Sequence, residues 1–242
     1  HGPHGIDLIE RTDGKYMLGV VSHLPTERVD MYELAKNENW YLIWRGCVET
    51  EGKYYLNDVS LMPDGSFYTT HMFEEDFPLF MWILANYLKF DTGFVVNWSP
   101  KKGFLELKQT AGSYPNGIAV DVQRNTLVVN YNLGDEIVMY DLESSDRLAT
   151  IYGNSPDNIV LIDNHFWAVI HDYKLTDYSS CGNNVNCSLP WSVLKLNRDN
   201  LKLIEKIPFE SVNMGIGTVA LKVDNTLSVS YTHLTLPTTG IV

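Results

Sequence analysis

Four polar residues and a glycine stand at one place in a phrase that recurs along the chain, and their types are those that bind metals and move protons. The phrase is a tight polar turn running into a strand, then a second turn and a second strand. His4-Gly5-Ile6 leads to Tyr16–Val21, and Asn57-Asp58-Val59 to Ser66–Thr69. Pro115-Asn116-Gly117-Ile118 leads to Asn125–Asn130, and Asp157-Asn158-Ile159 to His165–Val169. A weaker copy, Gly217-Thr218-Val219, leads to Asn225–Leu227. The leading positions His4, Asn57, Asn116, Asp157 and Gly217 lie 53, 59, 41 and 60 residues apart. If the fold brings these positions together, an imidazole, amide oxygens and a carboxylate share one site and can hold a metal.

Repeats of roughly 40 to 50 residues made of short alternating strands and turns are the mark of β-propeller blades. In a propeller each blade's innermost strand lines a central channel, so a polar residue heading every such strand contributes to a ring at one channel mouth. The expectation is therefore an all-β fold, a propeller of about four blades, in a single domain spanning residues 1–228.

Composition agrees. The chain has 242 residues, 45% of them hydrophobic, enough to bury a large core and too apolar for a disordered class. Its formal net charge is −12, and no cluster of Lys and Arg could follow a phosphate backbone, so nucleic acid is not an expected partner. An acidic chain with oxygen donors suits a hard cation. No stretch is long and apolar enough to span a bilayer as a helix. Cys181 and Cys187 flank a Gly/Asn-rich loop and are spaced either to close a small disulfide or to stay as free thiols. Asn97-Trp98-Ser99 and Asn186-Cys187-Ser188 match the glycosylation pattern, which also arises by chance.

One stretch breaks the strand pattern. From Phe77 to Phe90 large apolar residues crowd together without alternation, and Pro78 suits a first helical turn, which predicts a helix inserted at 77–90. Such a helix either packs on its own blade, closes over the channel mouth with Phe80, Trp82 and Ile83 on the substrate pocket, or offers a surface to membrane or lipid. Strands at 93–98 and 136–140 are expected to end their blades.

With these motifs in order, the chain resembles the arylesterase or serum-paraoxonase family, relatives of the gluconolactonase-type propellers. The resemblance runs through Pro3-His4-Gly5-Ile6, Val20-Val21-Ser22-His23, Leu56-Asn57-Asp58-Val59, Thr70-His71, the inserted helix, Trp98-Ser99-Pro100, Pro115-Asn116-Gly117-Ile118 and Asp157-Asn158-Ile159. It implies a six-bladed propeller, here incomplete, with two calcium ions and hydrolysis of lactones and aryl esters. Asn57, Asn116, Asp157 and Asn158 would ligate a catalytic calcium; Asp58 and the Ile6 carbonyl would serve a structural one. His4 and His23 match the family's histidine pair, one ring activating water and the other orienting it, and His71 falls on the pocket wall. The resemblance favours a secreted or extracytoplasmic protein and leaves the oligomeric state unknown. It also implies that a first blade bearing a carboxylate ligand belongs before His1, so that the chain alone is expected to be inactive. The family's terminal cysteine pair has no counterpart. A gluconolactonase-type sugar lactonase would share the metal site without needing the helix or the histidine pair, and a binding module would keep calcium as structure only.

The stretch Val229–Thr238 has a separate resemblance. It matches, residue for residue, one reading frame of a sequencing-library transposase adapter, so residues 229–242 are expected to be a non-native tail.

Overall fold

The structure is a computed structural model and describes residues 2–174, 176–177, 189–210 and 215–232. Among the described residues, eighteen strands and one longer helix form four four-stranded antiparallel blades and a two-stranded fifth. Blade one holds β1 (Pro3–Glu10), β2 (Tyr16–Ser22), β3 (Arg28–Lys36) and β4 (Trp40–Glu49). Blade two holds β5 (Leu56–Leu61), β6 (Phe67–His71), β7 (Gly93–Ser99) and β8 (Gly103–Gly112), with helix α1 (Leu79–Leu88) between β6 and β7. Blade three runs from β9 (Pro115–Asp121) through β10 (Thr126–Tyr131) and β11 (Glu136–Asp141) to β12 (Arg147–Tyr152). Blade four runs from β13 (Pro156–Ile162) through β14 (His165–His171) and β15 (Trp191–Asn197) to β16 (Leu203–Phe209). A last hairpin pairs β17 (Ile216–Val223) with β18 (Thr226–Thr232). The first strands β1, β5, β9, β13 and β17 pack one against the next, so the blades form an arc of an incomplete β-propeller.

Burial follows strand position. Every residue of β5 and β10 is buried, because these strands are covered by blades on both faces. Outer strands such as β12 and β16 are largely exposed. Fully buried Phe67, Tyr131, Phe166 and Trp191 anchor the spaces between blades, each worth about 1.5–3 kcal/mol by area removed from water. This gradient explains one correction: strands 93–98 and 136–140 are β7 and β11, the third of four in their blades. The true outer strands, β8 and β12, carry one solvated face and lack the dense apolar run that marks an inner strand.

Strand direction sorts the residues by end. Each innermost strand begins at one mouth, so loops β2–β3, β6–β7 (with α1), β10–β11 and β14–β15 gather there, and loops β1–β2, β5–β6, β9–β10 and β15–β16 lie opposite. The helix falls within the expected 77–90, starting after an extended Pro78 and ending at a left-handed Lys89 whose N–H bonds the Ala85 carbonyl. Strand β18 crosses the boundary expected at residue 228, and residues 233–242 lie outside the described residues. So do Cys181, Cys187 and Asn186.

Candidate active site

The recurring phrase has a backbone cause. In each of the four complete blades the innermost strand breaks register where its polar residue stands. Pairing resumes with Ile6 after Pro3, Val59 after Leu56, Ile118 after Pro115 and Ile159 after Pro156. In every case two residues oppose one on the partner strand, which is a β-bulge: His4-Gly5, Asn57-Asp58, Asn116-Gly117 and Asp157-Asn158. A bulge bends its strand and re-aims a side chain. One bulge in each innermost strand therefore brings His4, Asn57, Asn116 and Asp157 to the same mouth. Two of the glycines are required by close approach. A Cβ on Gly5 would lie 2.4 Å from Asp58, and one on Gly117 would lie 2.5 Å from the Asp157 carbonyl.

At this mouth His4 Nδ1 and His23 Nε2 are 2.9 Å apart, and His23 Nδ1 reaches the Glu27 carboxylate at 2.9 Å. Partial desolvation, and after it the charge of His23, lower the His4 pKa from its ordinary value, and the carboxylates of Asp157 and Glu27 offset only part of this.

Next to the pair lies the polar ring. Asn57 and Asn116 are buried, and the side-chain carbonyl oxygens of both have no hydrogen-bond partner. A third unpaired oxygen belongs to Asn130, whose amide nitrogen is bonded to the Asp157 carbonyl at 2.7 Å. An unpartnered buried polar atom costs about 1–3 kcal/mol, so three at one mouth need a reason. Asp157 and Asn158 are partly buried, with the Asn158 amide donating to Asp157 at 3.2 Å and to the Thr218 carbonyl at 3.2 Å. Asp58 is buried below, taking the N–H groups of Val59 at 2.9 Å and Ile118 at 3.0 Å. Burial pushes its carboxyl up to about 8 against those bonds, with Asp7 and Asp157 adding to the rise. Gly5 brings β1, and with it the Ile6 backbone, against Asp58.

The oxygen donors fit a hard cation: amide carbonyls without partners and buried carboxylates, the set calcium takes. Among the described residues no three His, Cys, Asp or Glu side chains gather as a metal site; three of the four expected catalytic-calcium ligands are asparagines, with Asp157 the lone carboxylate.

An aromatic wall joins the histidine pair to the helix. Tyr55 packs on His23 at 5.1 Å and on Phe73 at 5.4 Å, Phe73 meets Trp82 at 5.4 Å, and Trp82 meets Tyr114 at 4.9 Å. Tyr114 carries φ of 58°, a left-handed conformation that is strained for a bulky side chain, directly before the Asn116 bulge. His71 supports this wall from behind: it is 2% exposed, and its Nδ1 accepts the Tyr55 N–H at 3.0 Å. The helix trio divides. Trp82 turns inward onto the wall, while Phe80 and Ile83 are 66% and 47% exposed. His171 also enters the site, its Nε2 at 3.4 Å from Asp157 and 3.1 Å from the Gly217 carbonyl.

Sequence reasoning missed Glu27, Tyr55, Phe73, Tyr114, Asn130 and His171. Asn130 ends the second strand of the Asn116 repeat, and Tyr114 immediately precedes it, so both had a positional signal. Glu27 had none beyond following His23 by four residues.

A cavity of about 280 Å³ lies elsewhere, between blades one and two toward the opposite end, lined by Ile9, Met17, Met31, Met62 and Trp98 among others. It shares no residue with the polar ring.

Antiparallel four-stranded sheets packed through their first strands, with a histidine pair and a ring of oxygen donors at one mouth, define the chain as part of a β-propeller. A sequence model of the Arylesterase family matches residues 1–202, and the chain belongs to that family. No curated protein sequence matches the chain. Among solved structures it is similar to the hydrazine synthase of Kuenenia stuttgartiensis, at 14% identity and a TM-score of 0.56, covering 91% of this chain and 51% of that one. It is also similar to a chain of the nidogen/laminin complex, at 12% identity and a TM-score of 0.51, covering 85% and 63%. At these identities the likeness is one of fold alone. The chain spans about half the length of the first structure and less than two thirds of the second.

Proposed function

We propose that the full-length protein is a calcium-dependent hydrolase of lactones and aryl esters. The observation that carries the reading is the placement of two buried, unpartnered amide oxygens, Asn57 Oδ1 and Asn116 Oδ1, at the same mouth as the hydrogen-bonded pair His4 and His23. Asn57, Asn116, Asp157 and Asn158 would hold the catalytic calcium, and Asp58 with the Ile6 carbonyl a structural one. Calcium held there would supply a Lewis acid for the substrate carbonyl oxygen.

The chain's own residues supply the rest. His4 takes the proton from the attacking water; its lowered pKa keeps the ring neutral and ready as a base at neutral pH. His23 holds that ring in place through the 2.9 Å bond. The wall of Tyr55, Phe73, Trp82 and Tyr114 takes the aryl or alkyl part of the ester and excludes water from that side. The exposed side of α1, with Leu79, Phe80, Tyr87 and Leu88, is the surface we assign to lipid contact.

The test is hydrolysis of a panel of lactones and aryl esters by the full-length protein, before and after chelation and after calcium is returned. Turnover lost to chelator and restored by calcium is expected. Turnover indifferent to chelator would remove calcium from the mechanism, and turnover of sugar lactones alone would favour the gluconolactonase type. Calcium binding without turnover of any substrate would leave a binding module.

A further inference from the structure

We infer that Glu27 is a positioning residue that sets the proton arrangement of both histidines and leaves a bare Nε2 on His4 as the base. This rests on the hydrolase reading above and assigns a role to a residue that lies outside the matched motifs.

With His23 neutral, the geometry allows one consistent assignment. Glu27 lies in the loop between β2 and β3, its side chain 11% exposed. Its carboxylate accepts the Leu56 N–H at 2.6 Å through Oε1 and faces His23 Nδ1 at 3.0 and 2.9 Å. A carboxylate only accepts, so His23 Nδ1 must carry a proton. Neutral His23 then has a lone pair on Nε2, and the 2.9 Å contact with His4 requires a donor from the other side. His4 Nδ1 supplies it. The remaining nitrogen, His4 Nε2, has no proton and is free to take one from water. When it does, the positive charge on His4 is relayed to His23 by transfer of the Nδ1 proton, and the anionic Glu27 stabilises the resulting imidazolium.

Glu27 also fixes where the base sits. Leu56 heads β5 immediately before Asn57, so one carboxylate ties the histidine pair in blade one to the polar ring in blade two. The Thr50 N–H bonds the Glu27 carbonyl at 3.0 Å and holds the loop from the outer side. Positioning of this kind matters because a reacting pair misplaced by about 1 Å loses on the order of 10²-fold in rate.

The experiment is Glu27→Gln in the full-length protein. The amide oxygen keeps the Leu56 N–H bond, so the amide nitrogen must replace Oε2 against His23 Nδ1. A donor there reverses the arrangement: His23 becomes protonated on Nε2, and His4 Nε2 acquires the proton that disables it. The expected result is a fall in kcat of about 10²-fold or more with KM within about twofold. Melting temperature and calcium stoichiometry should not change. Nitrogen-15 NMR of the histidine rings gives an independent reading: His4 and His23 both protonated on Nδ1 in the wild type, and on Nε2 in the variant. Unchanged kcat in a folded variant would overturn the inference, as would a wild-type His4 carrying its proton on Nε2, which can be read even if the variant fails to fold. A wild-type protein that hydrolyses nothing would instead defeat the hydrolase reading, and is distinguished by needing no variant.

Discussion

A buried carboxylate at one end of the propeller and the buried amides at the other are treated in opposite ways. At the end opposite this mouth, Asp121 closes β9 and meets Arg198 from blade four, which binds it through Nε and through Nη2 at 2.6 Å. The backbone N–H groups of Gln123 and Arg124 add bonds at 3.1 and 3.2 Å, and the Arg198 fork continues to Asn164 at 2.8 Å and Gln123 at 3.0 Å. Every oxygen of that carboxylate is matched. At the mouth, Asn57, Asn116 and Asn130 keep bare carbonyls, and Asp58 is buried with no cationic side chain among the groups that shift it. The first arrangement is complete within the protein and holds two blades together. The second is incomplete, which is how a site looks when its missing partner is a ligand.

Substitutions should separate these roles. The largest effect is expected from Arg198→Met, which leaves Asp121 buried and uncompensated and should cost about 3–5 kcal/mol. Denaturant melts would show the loss, while turnover of the folded fraction stays near wild type. An equal fall in kcat would mean that the two ends are coupled. His4→Gln should do the reverse: about 10²-fold or more off kcat, with the melt and the bound calcium unchanged. If turnover falls less than about threefold on every substrate, His4 is a packing residue.

Much of this division could be read from residues alone. Repeating turn-and-strand phrases gave the blades, because each innermost strand is dense in apolar residues and headed by a turn pair. They also gave the mouth residues, since a bulge needs a small or turn-prone residue and the phrase contains one each time: Gly5, Asp58, Gly117, Asn158. Outer strands were harder. Arg147–Tyr152 alternates weakly because one face is solvated, so blades seemed to end one strand early. Glu27 and Arg198 were not legible, because their partners lie in other blades and only the fold brings Leu56 or Asp121 to them. Phe80, Trp82 and Ile83 looked alike in sequence; which of them turns inward depends on where the Phe73 and Tyr114 rings stand.

Acid should also tell the ends apart. On the proposed mechanism His4 acts as a base only when neutral, and its pKa lies below the ordinary 6.5, so activity should persist below that value and disappear as pH falls through the lowered one. Burial pushes Asp121 up, but Arg198 and the two backbone donors outweigh it and hold the carboxyl below its usual value. A depressed folded pKa gives stability that is present above the unfolded value of about 3.9 and lost as pH falls through the folded one. A pH series of kcat and of melting temperature should therefore show activity failing first, while the blade contact survives into the carboxylate range. Simultaneous loss would contradict the separation.

The smallest effect on stability is expected on the outer face of α1. Phe80→Ser and Ile83→Ser touch exposed side chains and should change stability by no more than about 0.5 kcal/mol. A shift in relative lactone preference would place that face on the pocket, and weaker binding to phosphatidylcholine vesicles with unchanged preference would place it on lipid. A clear drop in melting temperature would return the helix to a packing role.

The central claim is that the bare amide oxygens at the mouth are calcium ligands, and calorimetric calcium titration of the full-length protein beside Asn57→Leu and Asn116→Leu tests it most directly. Leucine is close in volume and removes the unpartnered oxygen, so in calcium-free buffer each variant should melt at or above the wild-type temperature, while in calcium it loses calcium binding and hydrolysis together. Variants that bind calcium with wild-type affinity and stoichiometry would contradict the account.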